Sequence, residues 1–308
     1  MKIIVAVLTA ILVCSFFITY SPSLHLPFDL PAWSDIFDQV GLIDNSVISR
    51  SPISVHFIDV GQGDCILLKT ENECALVDAG ERGKGEIVIQ YLRNQNIEKL
   101  DYVFITHPDS DHIGGMPEVL ENFKVSKFIM PALAKENIPT TKIFEKLLNT
   151  IYERGITAET TVPQEVFSLG DASLTVLGPV SSSSLMNNMS IVLRVVMGEN
   201  AFLLTGDAET EEEMEILKSG CLLQSDVLKA GHHGSKNSSG IDFLKAVSPK
   251  MVIVSCGKEN SYGHPNTQAL QRFSQIGAVV FRTDRQGSII VGSDGKNITI
   301  DYDKNRTK

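Results

Sequence analysis

Tryptophan is nearly missing from this chain, cysteine is scarce, and basic charge is outnumbered. Its 308 residues hold one Trp, five Cys, and 27 Lys plus Arg against 37 Asp plus Glu. The resulting net charge of −10 at pH 7, with histidine neutral, argues against a broad basic face for duplex DNA. Cys65, Cys74, Cys221 and Cys256 match no zinc-knuckle or redox spacing and read as isolated thiols, not as a disulfide framework. Multiple membrane-spanning runs are lacking beyond the first 20 residues, so the chain is not expected to conduct DNA through a bilayer alone. What is present, 43% hydrophobic and 21% charged, suits an ordinary globular body.

The N-terminal segment is different in kind. Lys2 precedes an apolar run over residues 3–18, broken only by Thr9 and Ser15, before Tyr20-Ser21-Pro22-Ser23. This reads as an export signal over residues 1–23, either a cleaved signal peptide or a retained N-terminal membrane anchor. A lipoprotein site at Cys14 is disfavoured by the bulky Val13 before it. Removing residues 1–23, whose one charged side chain is Lys2, takes the net charge from −10 to −11. Residues 24–52 read as a linker, because four of the twelve prolines lie within 21–52 and no periodicity is sustained there. The domain proper is expected over 53–308, secreted or held at the outer face of the cytoplasmic membrane.

Apolar alternation and turn residues place strands at 53–60, 65–69 and 75–77, separated by Gly61-Gln62-Gly63-Asp64 and Glu71-Asn72-Glu73, as in sequential antiparallel pairing. A helix follows at 86–93, a strand at 102–105, a helix at 116–123 and a strand at 127–130, so strands and helices begin to alternate. The second half repeats this grammar. Strands are expected at 173–177, 190–196, 201–204, 227–229, 251–254, 279–282 and 288–291, and helices at 141–152, 211–217 and 267–275. Two β-rich halves, each with helices on one side, would stack sheet on sheet with helices outside. Ligands at strand ends could then converge along one edge.

The chemistry concentrates in Thr106-His107-Pro108-Asp109-Ser110-Asp111-His112, directly after the apolar Tyr102-Val103-Phe104-Ile105. Imidazole nitrogen and carboxylate oxygen are donors that suit zinc or manganese, and a turn leaving a buried strand can aim several at one point. A lone histidine reads as a satisfied imidazole; H-x-D-x-D-H followed by Gly114-Gly115 reads as a metal loop. Further donors recur at strand ends: Asp207 after Phe202-Leu203-Leu204-Thr205-Gly206, and His232-His233 after Val227-Leu228-Lys229-Ala230-Gly231. In each, an apolar strand delivers a ligand through a glycine that permits a tight turn. Asp207 alone is equally well explained as a helix cap; the combination favours a metal. The acidic run Glu209 to Glu213 reads as a solvated first helical turn.

These residues also carry a family likeness. His56-Phe57-Ile58-Asp59-Val60-Gly61-Gln62-Gly63-Asp64, Leu76-Val77-Asp78-Ala79-Gly80, the Thr106 loop, Leu204-Thr205-Gly206-Asp207, Gly231-His232-His233-Gly234-Ser235 and Tyr262-Gly263-His264-Pro265-Asn266 together resemble the metallo-β-lactamase fold. More narrowly, they resemble the extracellular hydrolase domain of ComEC-type DNA-internalization competence proteins. The likeness covers roughly residues 53–300 with the motifs in the same order. It implies an α/β (α+β) four-layer αβ/βα sandwich holding one or two divalent metal ions, Zn2+ or Mn2+, at the sheet edge. By the same likeness His107 and Asp109 would hold a first metal, Asp111 and His112 a second, with Asp207 bridging and His232 or His233 completing the second site. Where the wider superfamily has H-x-H-x-D-H, Asp109 supplies a carboxylate, which makes the site harder and more tolerant of manganese. The superfamily's further histidine is missing from Asn187-Asn188-Met189-Ser190, so Asn188 or water would complete the first site.

Such a site implies hydrolysis, because divalent cations activate water and offset the charge that grows in a phosphoryl-transfer transition state. Asp111 would orient the attacking water. Lys229, Ser235 and His264 are candidates for holding phosphate or protonating the leaving oxygen. Each has a bland counterpart: a strand lysine that snorkels, a capping serine and a turn histidine. Asp78 would hydrogen-bond the metal ligands, and Asp59 and Asp64 read as structural turn residues or as a support behind the ligands. The expected activity is an exported phosphodiesterase, with single-stranded DNA the substrate implied by the likeness and the DNA-uptake machinery its implied partner. A cell-wall or small phosphodiester, a lactam or thioester, and non-catalytic nucleic-acid binding are the alternatives.

Overall fold

The structure, a computed structural model, describes residues 51–302. The leader expected over 1–23 and nearly all of the 24–52 linker lie outside the described residues. Within them no helix is long and apolar enough to cross a membrane.

Among the described residues, fifteen strands form two mixed sheets. The first half of the chain contributes β1 (Ile53–Phe57), β2 (Ile66–Lys69), β3 (Cys74–Val77), β4 (Lys99–Phe104), β5 (Lys124–Pro131) and β6 (Ala158–Thr161). The second contributes β7 (Val166–Leu169), β8 (Ala172–Gly178), β9 (Val192–Met197), β10 (Asn200–Leu204), β11 (Val227–Lys229), β12 (Met251–Val254) and β13 (Val279–Arg282). Last come β14 (Ile289–Ser293) and β15 (Ile298–Tyr302), which return to the first sheet. The sheet orders are β15-β14-β1-β2-β3-β4-β5-β6 and β13-β12-β11-β10-β9-β8-β7. In the first sheet pairing is antiparallel from β15 to β3 and parallel from β3 to β6. In the second it is antiparallel from β7 to β10 and parallel from β10 to β13. The change of direction at β3 and β10 aligns the C-terminal ends of neighbouring strands, and loops leaving that edge share one region, as ligand loops do in open α/β sheets.

Alternation along the strands builds the layers. Ile53, Val55 and Phe57 of β1, Ile66 and Leu68 of β2, and Phe202 and Leu204 of β10 all enter one buried cluster, which therefore lies between the sheets. Leu67, Leu76 and Val103 point the other way, against Val88, Ile89 and Leu92 of helix Gly85–Asn94 and Phe144, Leu147 and Ile151 of helix Lys142–Glu153. The outer face of the second sheet, including Leu203, Leu228 and Val252, packs likewise on Ile216, Phe243, Leu244 and Phe273 from helices Thr210–Ser219, Ile241–Val247 and Thr267–Gln275. This is the helix-sheet-sheet-helix order that the likeness implied. Helix Lys142–Glu153 begins where the Thr141 hydroxyl accepts the Phe144 amide at 3.4 Å, and helix Thr267–Gln275 where Asn266 Oδ1 accepts the Gln268 amide at 3.0 Å.

Several boundaries move for physical reasons. β1 stops at Phe57, not at residue 60, because Asp59 to Asp64 make the turn. The strands at 158–161 and 166–169 show little sustained apolar patterning in sequence, and β6 and β7 are sheet edges, where one side needs no apolar partner. Glu212 and Glu213 correct the reading of a solvated acidic turn. Both are buried: Glu212 accepts the Val180 amide at 2.7 Å, Glu213 accepts the Gly240 amide at 2.8 Å, and burial pushes both carboxyls up to about 7. The four described cysteines are free thiols, as their spacing implied.

Phe202 is fully buried in the cluster between the sheets. Phe202→Ala should lower the unfolding free energy by about 3–5 kcal/mol, read from urea denaturation of the purified protein. A loss below about 1 kcal/mol would show that the two sheets do not share one packed core.

Candidate metal centre

Four loops meet at the common edge of the two sheets. The loop after β4 carries His107, Asp109, Asp111 and His112; those after β3, β10 and β11 carry Asp78, Asp207 and the His232-His233 pair. One donor atom each from Asp111, His112, Asp207 and His233 lies within 4.8 Å of the others, and all but Asp111 are buried. His112 Nε2 is 3.3 Å from Asp207 Oδ1, and His233 Nε2 is 3.3 Å from Asp111 Oδ2 and 3.4 Å from Asp207 Oδ2. The structure thus brings together residues 96 positions apart in sequence, from Asp111 to Asp207.

The backbone is bent to achieve this. Gly206 has φ +49, and a Cβ there would stand 2.9 Å from the Thr106 Cβ, so the turn before Asp207 can approach the metal loop only as glycine. Gly63, at φ +117, packs against the Asp111 carbonyl, and a Cβ would come within 2.2 Å of it. His232 and His233 are consecutive non-glycine residues at φ +46 and +53. That conformation costs of order 1–3 kcal/mol per residue and marks a position held by its surroundings.

A second set of groups aims the imidazoles. Asp78 Oδ2 lies 2.8 Å from His112 Nδ1 while its two oxygens accept the Thr106 amide at 2.8 Å and hydroxyl at 2.7 Å. His233 Nδ1 donates to the Ser255 carbonyl at 3.0 Å. Both contacts leave Nε2 directed at the cluster, the arrangement that orients metal-ligating histidines. His107 Nε2, His112 Nε2, His233 Nε2 and Asp207 Oδ1 are buried with no hydrogen-bond partner. Buried polar atoms are normally paired; a divalent cation among Asp111, His112, Asp207 and His233 would satisfy three of these four, and a second beside His107 the other, so the donor set fits the metal.

Charge is balanced within the cluster. Burial alone would push the Asp207 carboxyl up, but His233, His112 and Lys229 hold it well below the usual carboxylate range. Asp111 behaves likewise: burial opposes ionisation, and the His233 and His112 imidazoles outweigh it. In the metal-free chain His112 is raised well above its ordinary value, because Asp207 and Asp78 outweigh the burial that would lower it.

The remaining sequence candidates are placed differently. His107 lies beside His112, with ring centroids 4.2 Å apart, and its Nε2 is 3.6 Å from Asp109 Oδ2, whose side chain is 48% exposed. These two form a looser pair outside the tight cluster. His232 is 24% exposed, 3.6 Å from Asp207 Oδ2, with Nδ1 3.1 Å from Glu209 Oε1; it lines the cleft beside the fully buried His233. Asn188 does not reach the first pair. Its Oδ1 accepts the Glu209 amide and its Nδ2 donates to Glu211, each at 3.0 Å, so both ends of the amide are used. Ser190 stands behind the His107 ring: its Oγ is 3.3 Å from His107 Nδ1, not from the unpartnered Nε2, and accepts the Asp207 amide at 3.0 Å.

Lys229 also departs from expectation. It is fully buried, 2.5 Å from Asp64 Oδ2, and donates to the Gly206 carbonyl at 3.0 Å; it neutralises carboxylates beneath the cluster and cannot touch a leaving group. Asp64 is correspondingly a support behind the ligands, 3.6 Å from His233 Nδ1. Ser235 Oγ accepts the Asn237 amide at 3.2 Å within its own turn and caps no helix N-terminus, since the next helix begins at Ile241 after Gly240. His264 does face the cleft, but burial and the neighbouring His232 and His233 lower its imidazole to about 4. It is neutral at pH 7 and offers hydrogen bonds, not an excess proton. Tyr262, Asn187 and Glu209 belong to longer segments noted in the sequence, but none is expected from sequence to take part in the site. Tyr262 and Asn187 line the same cleft, of about 480 Å³, and nothing local distinguishes them from ordinary loop residues.

The profile describing the metallo-β-lactamase superfamily matches residues 58–258. The chain belongs to that superfamily. Its fold implies one or two divalent metals, and the cluster described above is the candidate site. Among curated proteins this superfamily member is similar to ComE operon protein 3 of Bacillus subtilis, 34% identical over 254 residues, covering 76% of this chain and 32% of that protein. It is also similar to competence protein ComA of Neisseria gonorrhoeae, 33% identical over 251 residues, covering 80% of this chain and 33% of that one. The chain thus spans about a third of the length of the curated relatives it matches. Among solved structures it overlays on CmlA, a diiron beta-hydroxylase from Streptomyces venezuelae, with TM-score 0.50 and 13% identity, covering 82% of this chain and 58% of that one. That overlay shows the shared fold.

Asp78→Asn should lower Zn2+ or Mn2+ affinity about 10–100-fold, measured by chelator competition. Unchanged affinity would show that Asp78 does not set the His112 tautomer. A cation must also displace the proton that His112 carries in the metal-free chain. Affinity should therefore fall as pH drops below the raised His112 value and rise through it, with proton release visible by calorimetry in two buffers. Affinity that does not change with pH would remove His112 from the donor set.

Proposed function

We propose that this protein is an exported, metal-dependent phosphodiesterase that cleaves single-stranded nucleic acid at the outer face of the cytoplasmic membrane, in connection with DNA uptake. The observation that carries the reading is the Asp111-His112-Asp207-His233 donor cluster at the floor of an open polar cleft, in a chain similar to competence proteins. Zn2+ or Mn2+ is the proposed cation, because the donors are imidazoles and carboxylates without thiolate. When bound, it supplies activation of water and stabilisation of charge growing on phosphorus-linked oxygens.

The chain's own groups bind and orient. Asp111, partly exposed and held ionised by the adjacent imidazoles, accepts a hydrogen bond from the attacking water and fixes its direction. Neutral His264, on the cleft wall, donates to a phosphate oxygen, and Asn187, whose Nδ2 is directed at Glu209 and His232, steadies the opposite side. Lys229 stays beneath, keeping Asp207 ionised, and Asp64 holds the Lys229 ammonium in place. Glu209 behind His232 fixes that ring at the cleft side of Asp207. Export rests on the apolar run over residues 3–18. Protease added to intact cells should degrade the domain, and protection of the domain would count against that location.

The deciding experiment incubates purified protein, loaded with Mn2+ or Zn2+, with bis-p-nitrophenyl phosphate, labelled single-stranded DNA, a glycerol-phosphate polymer and nitrocefin. Cleavage of the first two is expected. Turnover of nitrocefin alone would replace the phosphodiester by a lactam, and turnover of the glycerol-phosphate polymer without DNA would move the substrate to the cell wall. Asp111→Ala should lower kcat/KM on the small diester by roughly 10²–10⁴-fold while labelled DNA still binds. A variant that retains full turnover would remove Asp111 from the reaction.

A further inference from the structure

The cleft over the donor cluster has a neighbour of equal size. A second depression of about 480 Å³ is lined by Gln62, Lys84, Lys258 and Arg285 among others, and Gln62 lines both. The other shared wall is the loop after β12. Lys258 and Asn260 face the second depression, while Tyr262 and His264 face the first. Asn260 braces this loop, donating to the Gly257 and His264 carbonyls at 2.9 and 2.6 Å and accepting the His264 amide at 3.0 Å. Gln62 Oε1 accepts the Gly257 amide at 3.2 Å and ties the loop to the Gly61-Gln62-Gly63 turn. One side chain and one loop therefore separate the two spaces.

The charges there are unlike those of the whole chain. Asp284 is taken up by Arg282 through contacts of 2.9 and 2.6 Å, and Asp59 Oδ1 accepts the Gly61 amide at 3.0 Å. Lys84 makes a long 3.8 Å approach to Glu81. Lys258 and Arg285 are exposed and form no ion pair among the described residues. Asp59, Glu81 and Asp284 also line the depression. With Asp284 paired to Arg282 and Glu81 approaching Lys84, Lys258 and Arg285 are left as the cations without an ion-pair partner there among the described residues, in a protein of net charge −10. On the ridge stands Tyr262, 66% exposed, its ring stacked on His264 at 5.9 Å and 22°.

We propose that the second depression is an anion subsite. It holds a phosphodiester further along a single strand whose scissile phosphate lies over the donor cluster, with a base stacked on Tyr262 at the ridge. This rests on the phosphodiesterase reading above and adds where the polymer runs. A strand binds through cations that follow its backbone and aromatic faces that take its bases; the two depressions and the tyrosine between them supply both. A glycerol-phosphate polymer would use the cations but has no π-face for Tyr262. The subsite also reconciles an acidic protein with a polyanionic substrate, since the attraction is local.

The test compares metal-loaded wild type, the Lys84→Ala/Lys258→Ala/Arg285→Ala triple variant and Tyr262→Ala. Substrates are bis-p-nitrophenyl phosphate, too short to span the ridge, and a labelled oligothymidylate of roughly twelve nucleotides. The ratio of kcat/KM for the strand to that for the small diester should fall at least about ten-fold in the triple variant, mainly through KM, with a shallower salt dependence. Tyr262→Ala should weaken the strand about five-fold or more. Fluorescence anisotropy of the same strand reads these losses independently of turnover. Equal falls on both substrates, or unchanged strand affinity in the triple variant, would overturn the subsite. Competition by a glycerol-phosphate polymer, together with an inert Tyr262→Ala, would overturn the nucleic-acid assignment. If wild type cleaves neither diester but the triple variant loses strand binding, the subsite stands and the catalytic reading fails. If wild type cleaves the small diester with no advantage for the strand, the reverse holds.

Discussion

Asp207 is the point on which the rest of this structure turns. It leaves the first strand of the parallel block in the second sheet, yet every group that keeps it ionised comes from elsewhere: His112 from the first sheet's edge, His233 and Lys229 from the next strand. A buried carboxylate without such partners would be costly enough to take up a proton. The two sheets must therefore close on each other in one register for the cluster to be tolerated at all. The packed layer between them, from Val55 and Phe57 to Phe202 and Leu204, supplies that register.

The same constraint explains why several conspicuous polar residues are not at the surface of the site. Lys229, Asp64 and Asp78 form a buried tier beneath the ligating atoms, each engaged by at least one charge or hydrogen bond. Removing one member of such a tier leaves another charge uncompensated, so its members support the donors even though none need touch a substrate. The exposed tier is different in character. Asp109, His232, His264 and Tyr262 lie along the cleft and its rim, where solvent and a ligand can reach them. The positive-φ turn at His232-His233 is where one tier passes into the other.

Much of the fold was legible because strand alternation and helix spacing are local. The strands at 227–229, 251–254 and 279–282 and the helix at 267–275 fall where their apolar pattern puts them. The edge strands at 158–161 and 166–169 were not legible, since an edge needs less apolar pattern. Glu212 and Glu213 misled for a related reason: an acidic helical turn normally faces water, and only the amides of Val180, Ser239 and Gly240 make these two exceptions.

At the candidate site, residue type and spacing by themselves determined the chemistry on offer: imidazoles and carboxylates at strand ends, delivered through glycines. They also marked Asp78 as a support for the metal loop. What only the tertiary structure decided was which of those groups meet. His233 enters the cluster while His232 flanks it, Asn188 is taken up by Glu209 and Glu211, and Lys229 turns inward to Asp64. The reason is that donor chemistry is a property of each side chain, whereas direction depends on loop conformation and on charges contributed by distant strands. Adjacent residues in one turn point opposite ways, and no local pattern records which way the second sheet requires.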